Sequence, residues 1–507
     1  MSHQEYVLGI DVGTQSVRAA LIEPGGQTKV FGVAELKTRY PNPGWAEQDP
    51  DDWWAAIRQA VGNALTSANV DPASIVGIGL DATACTVVAC QSDGTILRPA
   101  LLWMDQRSAL EATDIDATGD SALRYVSGRV SPEWMLPKAL WLKRQEPLIY
   151  QAADRIVECT NWLMYQLTDD WTLSLNHCAV KWNYARPDGG WPRSLMASVG
   201  LSDLESKWPK AIVPLGGGTS KLSKRAADWL GLKAGTPVAQ GGIDAYLGMI
   251  GLGATAEGDV ALIIGSSTCH LAQAKEGLFG SGWAGSYPDA TVEGLYTLEA
   301  GQTATGSILE WYRRHFAGNE FREAESLGIP VFSLLDQKAA QVSPGSDGLL
   351  IRDDWQGNRS PHKNPNARGT ITGLTLAHGP AQIIRAMYEA TACGTRQILD
   401  DGISHGLKVK RIVAGGGGVK SALWMQIQAD ILQRPITLTR DPESCALGSG
   451  MAAAVAAGIY SSFDEAAERM VQVDRVVEPN NTHAALYEDL YRRYADLYQR
   501  LNVPPAS

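Results

Sequence analysis

The strongest constraint on this chain is one design used twice. Residues 6–22 run as an apolar strand (Tyr6–Ile10), a tight turn carrying Asp11, Gly13 and Thr14, and a second apolar strand (Val17–Ile22). Residues 258–274, "GDVALIIGSSTCHLAQA", repeat it with small polar residues, Gly265–Thr268, in the turn. Apolar runs of strand length separated by such turns predict a hairpin opening each of two α/β units. At 507 residues the chain is in any case too long for one core. The boundary is placed near residues 253–258, in "GATAEG", giving units 1–254 and 255–507. A ligand is expected in the cleft between them.

The segments between the hairpins have their own signals. "PGG" at 24–26 marks another hairpin turn, and residues 49–68 switch to helical spacing with Asp49–Asp52 as cap chemistry. "IVGIGLDATACTVVAC" reads as strand, polar turn, strand. Residues 121–170 read as largely helical, and 171–220, rich in Trp, Pro and Gly, as an irregular substrate-facing lobe inserted in the first unit. "TPVAQGGIDAYLGMIGLGA" is expected to form a strand, a Gly-Gly-acid turn and a helix. The second half adds a long helix at 382–402, a strand–glycine turn–helix at 411–432 and a small-residue helix in "CALGSGMAAAVAAG". "YEDLYRRYADLYQRL" predicts a surface amphipathic helix packed on its own domain.

A net charge of −11 argues against nucleic acid or an anionic membrane as partner. It leaves phosphate ligands open, since backbone N–H groups and a metal ion hold these without net basicity. No apolar stretch approaches the ~18 residues of a membrane span. The seven cysteines are scattered without a CxxC pair, and the eight histidines show no metal spacing. The expected setting is cytoplasmic, with reduced thiols.

"AGGGGVKS" at 414–421 misses the P-loop pattern by one position, because Val419 and not glycine precedes Lys420. It is either a mobile turn or a bare-backbone bed for a nucleotide at a helix start. Alongside it, Thr14 and Gln15 offer hydroxyl, amide and N–H groups to phosphate, and Gly265, Ser266 and Ser267 offer a second cradle. Asp11 then sits where Mg²⁺ would bind, through water, since that ion sheds its hydration shell reluctantly. Two such hairpins with a GGGG turn resemble an ATP cleft of the actin/hexokinase type. Asp244 in "GGIDAY" and Glu299 in "EAGQTATG" each read more readily as a helix cap than as a catalytic acid. Lys181, flanked by Cys178 and Trp182, calls for a partner or a ligand. Trp103 in "LLWMDQRS" is core or rim packing by default, although a sugar's C–H face also stacks on such a ring.

With these pieces in order, nearly the whole chain resembles the FGGY family of carbohydrate kinases. "GTITGLTLAHGPAQIIRAMYE", residues 369–389, matches the family's C-terminal signature at Gly373–Leu374, Gln382–Ile383 and Ala386–Glu389. The N-terminal signature is looser, with Lys138, Trp141 and Leu142 fitting its second half. "DATACT" (81–86), "GSSTCH" (265–270), "GNRSP" (357–361) and "EATACGTR" (389–396) look like ribulokinase segments. Glycerol kinases carry an Arg-Glu pair where this chain has Ala84–Cys85.

The resemblance implies two duplicated actin/hexokinase-like (ribonuclease H-like) domains with an ATP and sugar cleft between them. It implies Asp244 as the base that accepts the proton of a terminal sugar hydroxyl attacking the γ-phosphate. Ala84, Trp103, Lys181, Asp244 and Glu299 would line the sugar site. Thr14, Gln15, Gly265, Ser266, Ser267, Gly416 and Gly417 would hold ATP, and Asp11 would hold Mg²⁺. The implied reaction is phosphorylation of the C5 hydroxyl of D-ribulose, with the domains closing on the sugar. L-ribulose, another ketose, a pentitol or a tetritol stay open as acceptors. A non-catalytic ATPase-fold protein of filament or chaperone type is disfavoured, because it needs no sugar-site base. Homologous folds are often homodimers, but no stripe here identifies an interface.

Overall fold

The computed structural model describes residues 4–501 apart from Thr219 and Pro442. The first half opens with β1 (Tyr6–Val12), β2 (Ser16–Ile22) and β3 (Thr28–Glu35), an antiparallel meander. Helix α1 (Pro50–Ala68) follows, and Asp49 caps it by accepting the Asp51 N–H, with Pro50 in the first turn. β4 (Ile75–Ala82) pairs parallel with β1, and β5 (Val87–Cys90) leads towards α2 (Met135–Gln145). Next come β6 (Arg155–Glu158), α3 (Cys159–Thr168), α4 (Leu175–Lys181), β7 (Gly242–Ile243) and α5 (Asp244–Gly251). The main sheet runs β7-β4-β1-β2-β3.

The second half repeats this layout with β8 (Asp259–Ile264), β9 (Thr268–Ala274), β10 (Gly285–Pro288) and β11 (Tyr296–Gln302), then α6 (Gly306–His315) and α7 (Pro380–Ser404). β12 (Arg411–Gly415), α8 (Ala422–Leu432), β13 (Ile436–Thr439), α9 (Ser444–Ala456), β14 (Val473–Val477) and α10 (Ala484–Leu501) complete it. Its sheet runs β10-β11-β9-β8-β12-β13-β14. α10 buries Tyr487, Leu490 and Tyr494 against this half, as its apolar stripe requires.

Three details depart from the sequence reading. Residues 171–220, irregular over much of their length, also hold α4, which is buried along its whole length. Residues 121–170 include a strand, β6. Glu299 lies inside β11, not at a helix start.

The small-residue helix α9 lies between two strands of the second sheet in sequence, β13 and β14, yet packs on the first, against β1, β4 and α5. Small residues are needed because the backbones nearly touch. A Cβ on Gly79 of β4 would lie 1.9 Å from the Ser449 carbonyl oxygen. α9 is thus the element through which the second half grips the strands that carry the site.

Candidate active site

Three neighbouring strands carry a Gly-apolar-Asp tripeptide at or next to their carboxyl ends: Gly9-Ile10-Asp11, Gly79-Leu80-Asp81 and Gly242-Ile243-Asp244. Asp11 sits opposite Asp81 in the β1/β4 pair, and Gly242 sits opposite Asp81 in the β7/β4 pair. The three acids therefore lie at the carboxyl ends of adjacent parallel strands, where open α/β sheets bind ligands. Sequence reasoning misses Asp81, and the thrice-repeated tripeptide is the signal that could have found it.

The three carboxyls differ in state because they differ in surroundings. Burial, then the negative charge of Asp11, pushes Asp81 well above the carboxylate range. One Asp81 oxygen accepts the Ser449 hydroxyl of α9 at 2.6 Å. Asp11 is also raised by burial, but a hydrogen bond with Asp81 and the charge of Arg18 oppose that rise. Asp81 is wholly buried, whereas the Asp11 side chain is 13% exposed. The proton of the pair therefore belongs on Asp81, leaving Asp11, the more exposed of the two, as the anion. Asp244 is pushed up to about 7, by burial first and by Asp11 second, against the Ala245 N–H that it accepts at 2.7 Å. Asp244 opens α5, but Ile243 occupies the cap position and no side chain caps the helix there. The cap reading therefore does not explain this acid.

A cavity of about 1020 Å³ between the halves brings together Thr14, Ala84, Trp103, Lys181, Asp244, Ser267 and Glu299. Lys181 Nζ donates to Glu299 Oε2 at 2.8 Å, and the Tyr246 hydroxyl donates to the same oxygen at 3.0 Å. Burial works against the Lys181 charge, yet the Glu299 carboxylate outweighs it and holds the ammonium above its usual range. Burial likewise opposes the Glu299 charge, and Lys181 reverses the effect, holding the carboxyl below its usual range. Lys181 also lies 4.8 Å from the Trp134 ring centre. Trp103, 40% exposed, donates Nε1–H to Thr14 Oγ1 at 2.9 Å, so its ring is fixed at the rim and stays open to a ligand.

Asp11, Gln15, Gly265, Ser266, Gly416 and Gly417 do not line this cavity. Gly265 and Gly416 meet at the carboxyl ends of two interior strands of the second sheet, just past the point where Ile263 of β8 pairs with Gly415 of β12. Gly416 has φ +90°, and a Cβ there would lie 2.6 Å from the Ile264 carbonyl oxygen, so glycine is required. The Gly265–Ser267 turn is pinned to the start of α6: Gly306 N–H donates to Gly265 O at 3.1 Å and Ser307 N–H to Ser266 O at 3.0 Å.

Among the described residues, no group of three or more His, Cys, Asp or Glu side chains is arranged to hold a metal by itself. Magnesium does not need such a cage, because one or two carboxylates with waters and phosphates suffice. An anionic Asp11 with Asp81 behind it fits that hard cation.

The FGGY signature at 369–389 lies outside the cavity and supports the second core. Within it, Arg385 pairs with Glu389 at 3.1 Å, and Glu389 accepts Gly345 N–H and the Ser346 hydroxyl, each at 2.8 Å.

The model of the FGGY carbohydrate kinase N-terminal domain matches residues 6–251, and that of the C-terminal domain matches residues 260–457. The chain is 33% identical to a ribulokinase of Geobacillus thermodenitrificans, over 98% of this chain and 94% of that protein. It is also 33% identical to an FGGY carbohydrate kinase domain-containing protein of Xenopus laevis, over 97% of this chain and 96% of that one. The crystal structure of xylulose kinase from Rhodospirillum rubrum superposes with a TM-score of 0.86 at 28% identity, covering 98% of this chain and 99% of that one. No helix of the described residues is long and apolar enough to cross a membrane. With a duplicated α/β fold, a cleft between the halves and both family domains in order, the chain belongs to the FGGY family of carbohydrate kinases, phosphotransferases with an alcohol group as acceptor.

Proposed function

We propose that this kinase transfers the γ-phosphate of ATP to the C5 hydroxyl of D-ribulose, giving D-ribulose 5-phosphate and ADP. The observation that carries the reading is the Lys181–Glu299 pair, which shares one cavity with Asp244 and the uncharged turn at Ala84. A cation and an anion held side by side recognise a run of hydroxyl and carbonyl oxygens, one donating and the other accepting. Relatives named ribulokinase, at about 33% identity, support the pentulose.

Asp244 takes the proton of the attacking hydroxyl. Thr14, Gln15 and the Gly265–Ser267 turn hold the phosphates, and Gly416 and Gly417 lie against the adenosine. Asp11, backed by Asp81, is the carboxylate for Mg²⁺, which when bound neutralises charge on the phosphates. Ala84 and Trp103 shape the sugar's surroundings. The units 1–254 and 255–507 close on the sugar to keep water from the phosphoryl group. The reaction belongs in the cytoplasm, on small molecules alone.

An ADP-release assay across D- and L-ribulose, other pentuloses, pentitols and tetritols tests the acceptor. D-Ribulose should give the highest kcat/KM. A higher value for L-ribulose or for a tetritol replaces it as substrate.

The raised Asp244 carboxyl also sets a pH dependence. A base works only when ionised, so kcat/KM should fall about tenfold per pH unit below a midpoint near 7 and level off above it. A profile flat from pH 5 to 8 would count against the assignment.

A further inference from the structure

The turn that carries Ala84 is strained, and buried charges hold it. Cys85 has φ +61°, a left-handed conformation that costs any residue with a Cβ. Its N–H donates to Glu158 Oε2 at 2.6 Å, and its carbonyl accepts from Lys138 Nζ at 2.7 Å. Lys138 also donates to the carbonyl of Leu102 at 2.6 Å, the residue before Trp103. Glu158 and Lys138 are both wholly buried, and neither lines the cavity.

Glu158 does more than hold Cys85. It accepts His177 Nδ1–H at 2.7 Å and Trp182 Nε1–H at 2.5 Å; a carboxylate has no proton to give, so Nδ1 carries the hydrogen. The other ring nitrogen of His177 accepts the Thr160 hydroxyl at 3.0 Å, and Thr160 Oγ1 in turn packs 3.5 Å from the Gly242 carbonyl oxygen, two residues before Asp244. His177 and Lys181 stand four residues apart on α4, on one face of the helix. A single buried chain of contacts thus runs from the Ala84 turn to the strand end that carries Asp244, with a branch along α4 to Lys181.

We propose that Glu158 is a positioning residue that fixes the Ala84 turn relative to Lys181 and Asp244, and through that spacing determines which acceptor the pocket takes. Its carboxylate gathers three donors from two separate segments: the turn after β4, and α4 with the residue just past it. Well-packed apolar residues would fill the same volume at no electrostatic cost, but they could not impose hydrogen-bond geometry on all three at once. The inference rests on reading this cavity as the acceptor's site.

The test begins with Glu158→Gln, assayed with whichever sugar the unmodified enzyme turns over best, so a wrong choice of sugar is exposed before any variant is made. The amide keeps the side chain's size but presents an NH₂ to a site that supplies only donors. The KM for sugar should rise tenfold or more, with the KM for ATP within twofold. Adding Cys85→Gly should restore most of the sugar KM, because glycine adopts the left-handed turn without being held there. A residue that served only the core would lower the unfolding temperature and would not be rescued by that glycine. A sugar KM within twofold of the parent, an ATP KM that rises in step, or no rescue overturns the proposal. If Glu158→Gln does not fold, Thr160→Val reads the far end of the chain. Its kcat should fall at least tenfold at nearly constant sugar KM, and an unchanged kcat overturns the proposal.

Discussion

Asp244→Asn should lower kcat by ~10²–10⁴-fold while leaving ATP binding intact, the scale of a positioned general base. The substitution changes almost nothing but the capacity to take a proton. Asparagine has the same shape, and its amide oxygen still accepts the Ala245 N–H that Asp244 accepts at 2.7 Å. The nucleotide groups lie on other elements, so calorimetry should find the ATP affinity of the variant within twofold of the parent. The acid limb of the pH profile should vanish with the base, since Asp244 is the group pushed up to about 7. In phosphoryl transfer most of the acceleration comes from positioning and charge, so a residual rate above solution hydrolysis is expected. Turnover within tenfold of the parent would remove Asp244 from the role of base.

The second large effect concerns the ion pair in the sugar pocket. Lys181→Met should cost on the order of 3 kcal/mol of stability, because it leaves the Glu299 carboxylate in a buried site without its cation. The Tyr246 hydroxyl, 3.0 Å away, is the hydrogen bond that remains to that oxygen. kcat/KM for sugar should fall at least 100-fold. The discriminating variant is the double one, Lys181→Met with Glu299→Gln. Removing both charges should recover most of the stability, since neither partner is then stranded, but none of the activity. Urea unfolding beside ADP-release kinetics reads both quantities. If the double variant is as unstable as Lys181→Met, stranded charge is not the cause; if it recovers activity, the pair is structural and does not bind sugar.

Much of the fold was legible along the chain because its signals are local. The alternation of apolar runs with small polar turns marked β1–β2 and β8–β9, and the cap chemistry of Asp49–Asp52 marked the start of α1. The signature at 369–389 identified the family, yet its Arg385–Glu389 pair supports a core and touches no part of the cavity. Family recognition and chemistry therefore rest on different residues. Strands such as β6 were hidden because four residues within a helical stretch carry no period of their own. Glu299 looked like a helix cap because strand burial depends on neighbours far away in sequence, here Leu271 and Gly285.

By itself the sequence determined the two α/β halves, the family, and which acids, lysine and glycine turns were worth attention. The tertiary structure decided their states and partners. Asp81 became part of the site only when β4 lay beside β1 in register, setting two carboxyls together at strand ends. Lys181 acquired Glu299 across 118 residues of chain, and Glu158 acquired Cys85 across 73. A residue's type fixes the charge or hydrogen bond it can offer. How strongly that group is desolvated, and what it faces, depends on contacts between distant segments, which no local pattern of residues records.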